Sequence, residues 1–374
     1  MKMVGGIGII GQDMVCGFGN GKYKTFEGTE ISIENCLKAK VKDLRVEGKT
    51  CQNLVSNLDE LVGKVYTRDT VAIIDSTLFK ANTTYTAMVA ISESSYSSEK
   101  YGAIFSVFYP TLTNGYRDIS LKDGTFKLTF STKGEIPSKI QLGVQYGNSN
   151  TSSFKLDNLV ILEGDYTNID LPNSINGIES VTEREENVLS IKINDIITPL
   201  NIPIPLRSLP NGVADTIEGN KLVQRVGKVV LDGTENWALR VTSDDYLVYN
   251  CGGLNILKTS TDYGRSSQKM ICEQFAPSNI SSMNSTAITK EGICLRESGT
   301  GFILSISKNK LDTQNLAGFK SYLKSNPVTV TYELYSQIIH SLEIPQLATT
   351  KGTNIITTTN NIKPKLSMKV KVEK

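Results

Sequence analysis

Short runs of Val, Ile, Thr, Tyr and Phe recur along this chain, each closed by a cluster of Gly, Asn, Asp or Ser. Within the runs apolar and polar positions alternate with a period of two, which sends successive side chains to opposite faces of a strand. β-Branched and aromatic residues suit such a half-buried pleated surface, so the pattern predicts an all-β fold. Between 65 and 166, six runs follow one another at 70–74, 84–92, 103–109, 125–131, 139–146 and 158–163. Turn clusters such as Lys122-Asp123-Gly124 and Gly147-Asn148-Ser149-Asn150 separate them. This spacing predicts a β-sandwich of jelly-roll type, and about 100 residues suffice for a sandwich to bury its own core.

Residues 1–64 read as a Gly-rich N-terminal attachment region, with short strands at 31–34 and 44–48 and a short helix near 53–62. From 167 to 220, Pro172, Pro199, Pro203, Pro205 and Pro210 predict an extended connector, because proline cannot donate to a sheet ladder. A strand pattern survives there only at 194–202. A second β-domain is predicted over 221–374, with strands at 221–231, 237–242, 246–249, 302–306 and 328–334. Alternation through Leu366-Ser367-Met368-Lys369-Val370-Lys371-Val372 adds a last strand with its lysines toward water. One helix is predicted at 312–325, where Asp312 stands as cap, Leu316, Phe319 and Leu323 recur at helical spacing, and Asn326-Pro327 ends the run. The expected architecture is two jelly-roll-like β-sandwich domains, a proline-rich connector, and one short helix in the C-terminal region.

Charge changes little in this picture. With 40 Lys and Arg against 38 Asp and Glu, there is no electrostatic reason to expect nucleic acid as the main partner. The six cysteines, Cys16, Cys36, Cys51, Cys251, Cys272 and Cys294, form no CxxC pair and read as packed, reduced thiols. The chain has one histidine, His340, so a Ser-His-Asp or Cys-His arrangement must use it or do without. It lies in the apolar run Gln337-Ile338-Ile339-His340-Ser341-Leu342, the setting of a strand residue. Gly6-Ile7-Gly8-Ile9-Ile10-Gly11 has the spacing of a dinucleotide-binding turn. It lacks a strand before it, and Gly17, Gly19 and Gly21 interrupt the helix that should follow, so flexible attachment is the simpler reading. Glu183, Glu185 and Glu186 read as a solvated acidic turn, and nothing nominates a catalytic carboxylate pair. The expectation is a protein that is not an enzyme. No segment reads as membrane-spanning, and Val4 to Ile10 is too short and polar-flanked for a signal peptide, so assembly in a cytoplasm is expected.

Several segments resemble minor structural, tail-fibre or baseplate proteins of phages that infect Gram-positive, clostridial-type hosts. They are residues 27–35 leading to 46–54, then Leu162-Glu163-Gly164-Asp165-Tyr166-Thr167, Pro205-Leu206-Arg207-Ser208-Leu209-Pro210-Asn211-Gly212-Val213 and Leu222-Val223-Gln224-Arg225-Val226-Gly227-Lys228. Residues 326–334, 352–356 and 362–366 complete the set. The resemblance implies a structural component of a phage or phage-tail-like particle that contributes to host-surface receptor binding, or else a purely structural subunit. A wall-degrading tail enzyme is the remaining alternative. Implied partners are other tail proteins, host cell-surface polysaccharide or a surface-layer protein, and further copies of the chain in a homo-oligomer such as a trimer. No nucleic acid and no membrane insertion are implied.

Residues 81–86 and 154–163 further resemble parts of carbohydrate-binding jelly rolls, in which sugars stack on exposed aromatic rings. That resemblance brings forward Tyr96, Tyr101, Tyr109, Tyr116 and Tyr146, with Tyr96 and Tyr101 favoured by their Ser-rich surroundings. In the second β-domain Trp237, the only tryptophan, and Tyr246 are further ligand-contact candidates. The competing reading for each ring is that it fills a core or its rim. No cofactor is expected. Calcium would have Asp157 and Asp165 as donors, but their spacing matches no specific loop.

Overall fold

The computed structural model describes residues 23–96, 102–111, 117–144, 152–167, 177–180, 188–254, 266–278, 288–296, 301–360 and 362–372. In chain order the strands begin with β1 (Tyr23–Gly28), β2 (Glu30–Cys36), β3 (Lys42–Glu47) and β4 (Thr50–Gln52), followed by helix α1 (Leu58–Leu61). Next come β5 (Val65–Thr67), β6 (Ala72–Ile74), β7 (Thr84–Ser95), β8 (Ala103–Phe108), β9 (Arg117–Leu121), β10 (Gly124–Ser131), β11 (Lys139–Val144) and β12 (Ser153–Glu163). They are followed by β13 (Ile178–Ser180), β14 (Val188–Ile193), β15 (Ile196–Asn201), β16 (Thr216–Glu218), β17 (Lys221–Leu231), β18 (Asn236–Thr242) and β19 (Tyr246–Gly252). The chain closes with α2 (Ser266–Lys269), β20 (Met270–Cys272), β21 (Gly292–Leu295), β22 (Phe302–Ser307), α3 (Leu316–Ser325), β23 (Val328–Ser341), β24 (Gly352–Thr358) and β25 (Lys365–Lys371). The all-β expectation with one short helix in the C-terminal region holds. Two compact units form: one from residues 1–50, 179–271 and 277–374, the other from 51–178 and 272–276.

In the second unit two four-stranded sheets enclose the core, in the orders β10-β7-β12-β5 and β6-β11-β8-β9. The antiparallel pairs β5–β12, β6–β11, β7–β10 and β8–β9 are the successive rungs of one long hairpin ribbon. Winding that ribbon so that alternate rungs fall into opposite sheets produces the jelly-roll order. Core positions follow the period-two alternation. Ala103, Phe105 and Val107 of β8 and Ile140 and Leu142 of β11 are all at most 1% exposed. Aromatic rings tie the sheets together, with Tyr85 centred 5.0 Å from Phe79 and 5.6 Å from Phe130, and Phe105 5.3 Å from Phe130. The buried amide of Asn53 locks the lead-in to β12: it accepts from Ile161 N at 3.0 Å and donates to Leu159 O at 3.1 Å.

The first unit holds a seven-stranded sheet, β1-β25-β3-β16-β17-β23-β20, and two four-stranded sheets, β15-β14-β24-β2 and β18-β19-β22-β21. Its organisation departs from the expected domain boundaries. Strands of the expected attachment region 1–64 pair with the C-terminal end, Tyr23 opposite Lys371 and Ile31 opposite Ile356. The expected connector 167–220 supplies β14, β15 and β16, which pair with β24, with each other and with β3. The physical reason is backbone accounting, since every buried N–H and C=O in these strands needs a partner and finds it far along the chain. Pro199 sits on β15, an edge strand, where a missing donor costs no ladder bond. Helix α3 starts at Leu316 rather than at 312, because the side chain of Asn315 caps it by accepting from Gly318 N at 2.9 Å.

Candidate functional site

The face of the jelly roll that turns away from its core on β6, β11 and β8 carries the most suggestive chemistry. Alternation fixes which residues lie there. With Ala72 and Ile74 inside, Ile73 points out and is 50% exposed. On β8, Ile104, Ser106 and Phe108 alternate with the buried Phe105 and Val107, and on β11, Lys139, Gln141 and Gly143 alternate with Ile140 and Leu142. Register then forms rows across the strands. Gln141 lies opposite both Ile73 and Ser106, Ser106 lies opposite Arg117, and Lys139 lies opposite Phe108. At one end Val71 fills the face, and a Cβ on Gly143 would come within 2.9 Å of its Cγ1, so the close approach requires glycine.

Three kinds of group converge on this face. The Lys139 ammonium sits 5.7 Å from the centre of the Phe108 ring. Among the described residues no carboxylate comes within ion-pair distance of it. Gln141 Oε1 is buried and has no hydrogen-bond partner among the described residues. Ser106, only 2% exposed, lies opposite it in register on β8. Neighbouring strands are spaced about 4.8 Å apart, and same-face residues along a strand about 7 Å apart. The backbone positions of Phe108 and Lys139, and of Lys139 and Gln141, therefore stand at about these two separations. An apolar ring beside convergent polar groups suits a ligand with a C–H face and hydroxyl donors.

The tyrosines and tryptophan favoured by sequence are placed differently. Tyr96 is half-buried against the jelly-roll core. Burial pushes its phenol up to about 12, while the Ala103 backbone and Ser94 hydrogen bond to it. Tyr109 is 7% exposed, and its hydroxyl accepts from Lys133 N at 3.2 Å. Trp237 is 3% exposed, edge-on to Phe319 at 5.0 Å, with Nε1 donating to Glu235 at 2.8 Å. Both its ring and its polar tip are taken, so the ligand-contact reading of Trp237 yields to core anchoring. Tyr246 packs on a small cluster of Val248, Ile288, Cys294 and Ile303. Tyr101, Tyr116 and Tyr146 lie outside the described residues. Phe108, Ser106, Lys139 and Gln141 were missed as site residues. The signal was present: within the predicted strands 103–109 and 139–146, these positions fall on the side opposite the core.

Other candidate chemistry resolves into packing. The carboxylate of Asp215, 0% exposed, accepts from Arg207 N at 2.9 Å, Arg225 N at 2.6 Å and Val226 N at 2.9 Å. Gly48 donates to the Asp215 carbonyl at 2.8 Å, and Thr50 and Ser208 exchange hydrogen bonds of 3.0 and 2.8 Å. Segments 46–54, 205–213 and 222–228 thus meet around Asp215, the last two at its carboxylate and the first at its backbone carbonyl. Burial raises the Asp215 carboxyl above its ordinary value, against the opposing pull of the three N–H groups and the Arg207 guanidinium. His340 Nε2 pairs with Gln224 Oε1 at 3.1 Å. Cys36, Cys51, Cys251, Cys272 and Cys294 are buried thiols, and burial pushes Cys251 and Cys272 up to about 12. Asp165 is occupied by Thr167, whose N and Oγ1 donate to it at 2.9 and 2.6 Å. Among the described residues no group of three His, Cys, Asp or Glu side chains is placed to hold a metal, and no helix is long and apolar enough to cross a membrane.

No family model and no curated protein matches this sequence. Among solved structures, one titled as the crystal structure of Tripeptidyl Peptidase 2 (TPP II) aligns at 9% identity with a TM-score of 0.20. The alignment covers 79% of this chain and 25% of that one. A likeness of that size carries no argument about fold or activity.

Proposed function

We propose that this protein is a non-enzymatic structural component of a phage or phage-tail-like particle, and that its jelly-roll unit binds host-surface polysaccharide through the outer face of β6, β11 and β8. The observation that carries the reading is the registered set of Phe108, Lys139, Gln141, Ser106 and Ile73 on one sheet of a jelly roll. The phage-like segments supply the particle setting. Their convergence on Asp215 suits a frame that holds the first unit rigid, with the jelly roll as the presenting element. The particle is assembled in the host cytoplasm, its partners are neighbouring tail proteins and further copies of the chain, and neither nucleic acid nor a membrane is required.

The test is retention of the purified chain on Gram-positive cell walls. Retention that is lost in a Phe108→Ala, Gln141→Ala double variant with an unchanged circular dichroism spectrum supports the reading. Absence of retention, with the protein still present in purified particles, would favour a purely structural subunit. Turnover of wall glycan would overturn the non-enzymatic part.

A further inference from the structure

We infer that Lys269 and Asn211 become joined by an intramolecular amide bond that the chain forms by itself, with Glu333 as the acid and base of the reaction. The site lies in the first unit and is independent of what the jelly roll binds.

Three elements bring the groups together. Asn211 stands in an exposed turn closed by Leu209 N donating to Val213 O at 2.8 Å and Gly212 N donating to Leu209 O at 3.0 Å. Asn211 N donates to Gln268 O at 3.1 Å, which lays the turn against the residue before Lys269. Lys269 ends α2, just where the chain enters β20, and β20 neighbours β23, the strand that carries Glu333. One carboxylate oxygen then receives both nitrogens: Glu333 Oε2 accepts from Asn211 Nδ2 at 2.9 Å and faces Lys269 Nζ at 3.4 Å. The lysine and glutamate side chains are 15% and 19% exposed, against 47% and 39% for the surface pair Arg45 and Glu218. An ion pair alone would account for Lys269 and Glu333. It does not account for an amide held on the same oxygen.

Aminolysis of an amide needs an amine, a base to free it, an acid for the leaving nitrogen and a donor for the oxyanion, all held in place beforehand. Glu333 takes a proton from the Lys269 ammonium. The freed amine attacks Asn211 Cγ, a new C–N bond forms, and negative charge gathers on Oδ1. That oxygen already accepts from Val213 N at 3.1 Å, so a donor for the charge is in place. Glu333 passes protons from the attacking nitrogen to Nδ2, the Cγ–Nδ2 bond breaks, and the nitrogen leaves as ammonium. The two protons that the lysine nitrogen loses depart with it, nothing is oxidised or reduced, and no outside reagent enters. The rival nucleophile for the same carbon is Gly212 N, which would close a succinimide. Its N–H is engaged by Leu209 O, which leaves the attack to Lys269. The bond closes a loop containing β16, β17, β18 and β19, and such a tie restricts the unfolded chain.

The experiment is mass spectrometry of the purified full chain, intact and after trypsin. The intact chain should be lighter than its sequence by one ammonia, and the peptides bearing Asn211 and Lys269 should emerge as one branched species. Lys269→Arg, which keeps the charge, and Asn211→Ala should each restore the full mass. Glu333→Gln should leave most chains at full mass. Lys269→Arg should also unfold at lower denaturant concentration than the unaltered chain. Full mass in the unaltered, folded chain overturns the inference, as does aspartate at position 211. An ammonia loss that survives Lys269→Arg marks succinimide closure by Gly212 and overturns it too. Should a variant fail to fold, the branched peptide of the unaltered chain decides by its presence or absence.

Discussion

Asp215 and Gln141 are both polar side chains drawn into β-sheets, and they are treated in opposite ways. Asp215 is fully enclosed, and three backbone N–H groups converge on its two oxygens. Gln141 lies on the outward face of the jelly roll with its amide oxygen enclosed and unanswered. A buried polar atom without a partner costs free energy, so such atoms are rare unless something else uses them. The fully answered group marks architecture, and the unanswered one is an enclosed acceptor left without a donor among the described residues. The same contrast separates segments 46–54, 205–213 and 222–228, which meet around Asp215, from the outer face of β6, β11 and β8.

The largest expected effect comes from breaking the satisfied side of this pair. Asp215→Ala strands three buried N–H groups and the neighbouring Arg207, and should cost on the order of 3–5 kcal/mol in chemical denaturation. Asp215→Asn keeps one acceptor and should cost less. A loss below about 1 kcal/mol in the alanine variant would show that water substitutes for the carboxylate and that the segments are held together by other contacts.

Substitution on the unsatisfied side should move stability in the opposite direction. Gln141→Leu replaces an orphan amide with an apolar group of similar size, and should leave the melting of the jelly roll unchanged or raise its stability by about 1 kcal/mol. The same variant should lose retention on cell walls. A destabilised but still binding variant would reverse both assignments and make Gln141 a structural residue.

Much of the jelly roll was legible because its signals are local. Six of its strands appear as alternating runs between turn clusters. β5 and β9 escaped, the first being only three residues long and the second having no clear apolar run of its own. The first unit was less legible because its pairings are distant: Thr216 faces Glu47, and Ile191 faces Thr358. No local pattern encodes a partner that far along the chain. The helix start slipped from 312 to 316 because two residues able to cap competed, and only the structure shows Asn315 making the bond. The site was half legible. An outward phenylalanine in a predicted strand could be read, but the loss of Trp237 to the core follows from Phe319, which packs on it from an element 82 positions later (319 − 237).

The smallest expected effect belongs to polar groups that water can reach. Arg45 and Glu218 pair at 2.9 Å across β3 and β16 with side chains 47% and 39% exposed. Arg45→Ala should therefore cost less than about 1 kcal/mol, and the difference should vanish in molar salt. Titration sharpens the contrast, because Glu218 lies only three positions from Asp215. A hydrogen bond from Thr216, then the charges of Arg45 and Arg225, hold the Glu218 carboxyl below 4.5 against its slight desolvation. Its contribution to stability is present above the unfolded value and is lost as pH falls through the lowered one. Burial sets the opposite sign at Asp215, whose carboxyl is raised above 3.8. That contribution is fully present below the unfolded value and is lost as pH rises through the raised one. Carboxyl carbon shifts followed by NMR should show Glu218 titrating below its ordinary value and Asp215 above. If both titrate low, the three N–H donors outweigh desolvation at Asp215, and its carboxylate is held by hydrogen bonding more strongly than burial opposes it.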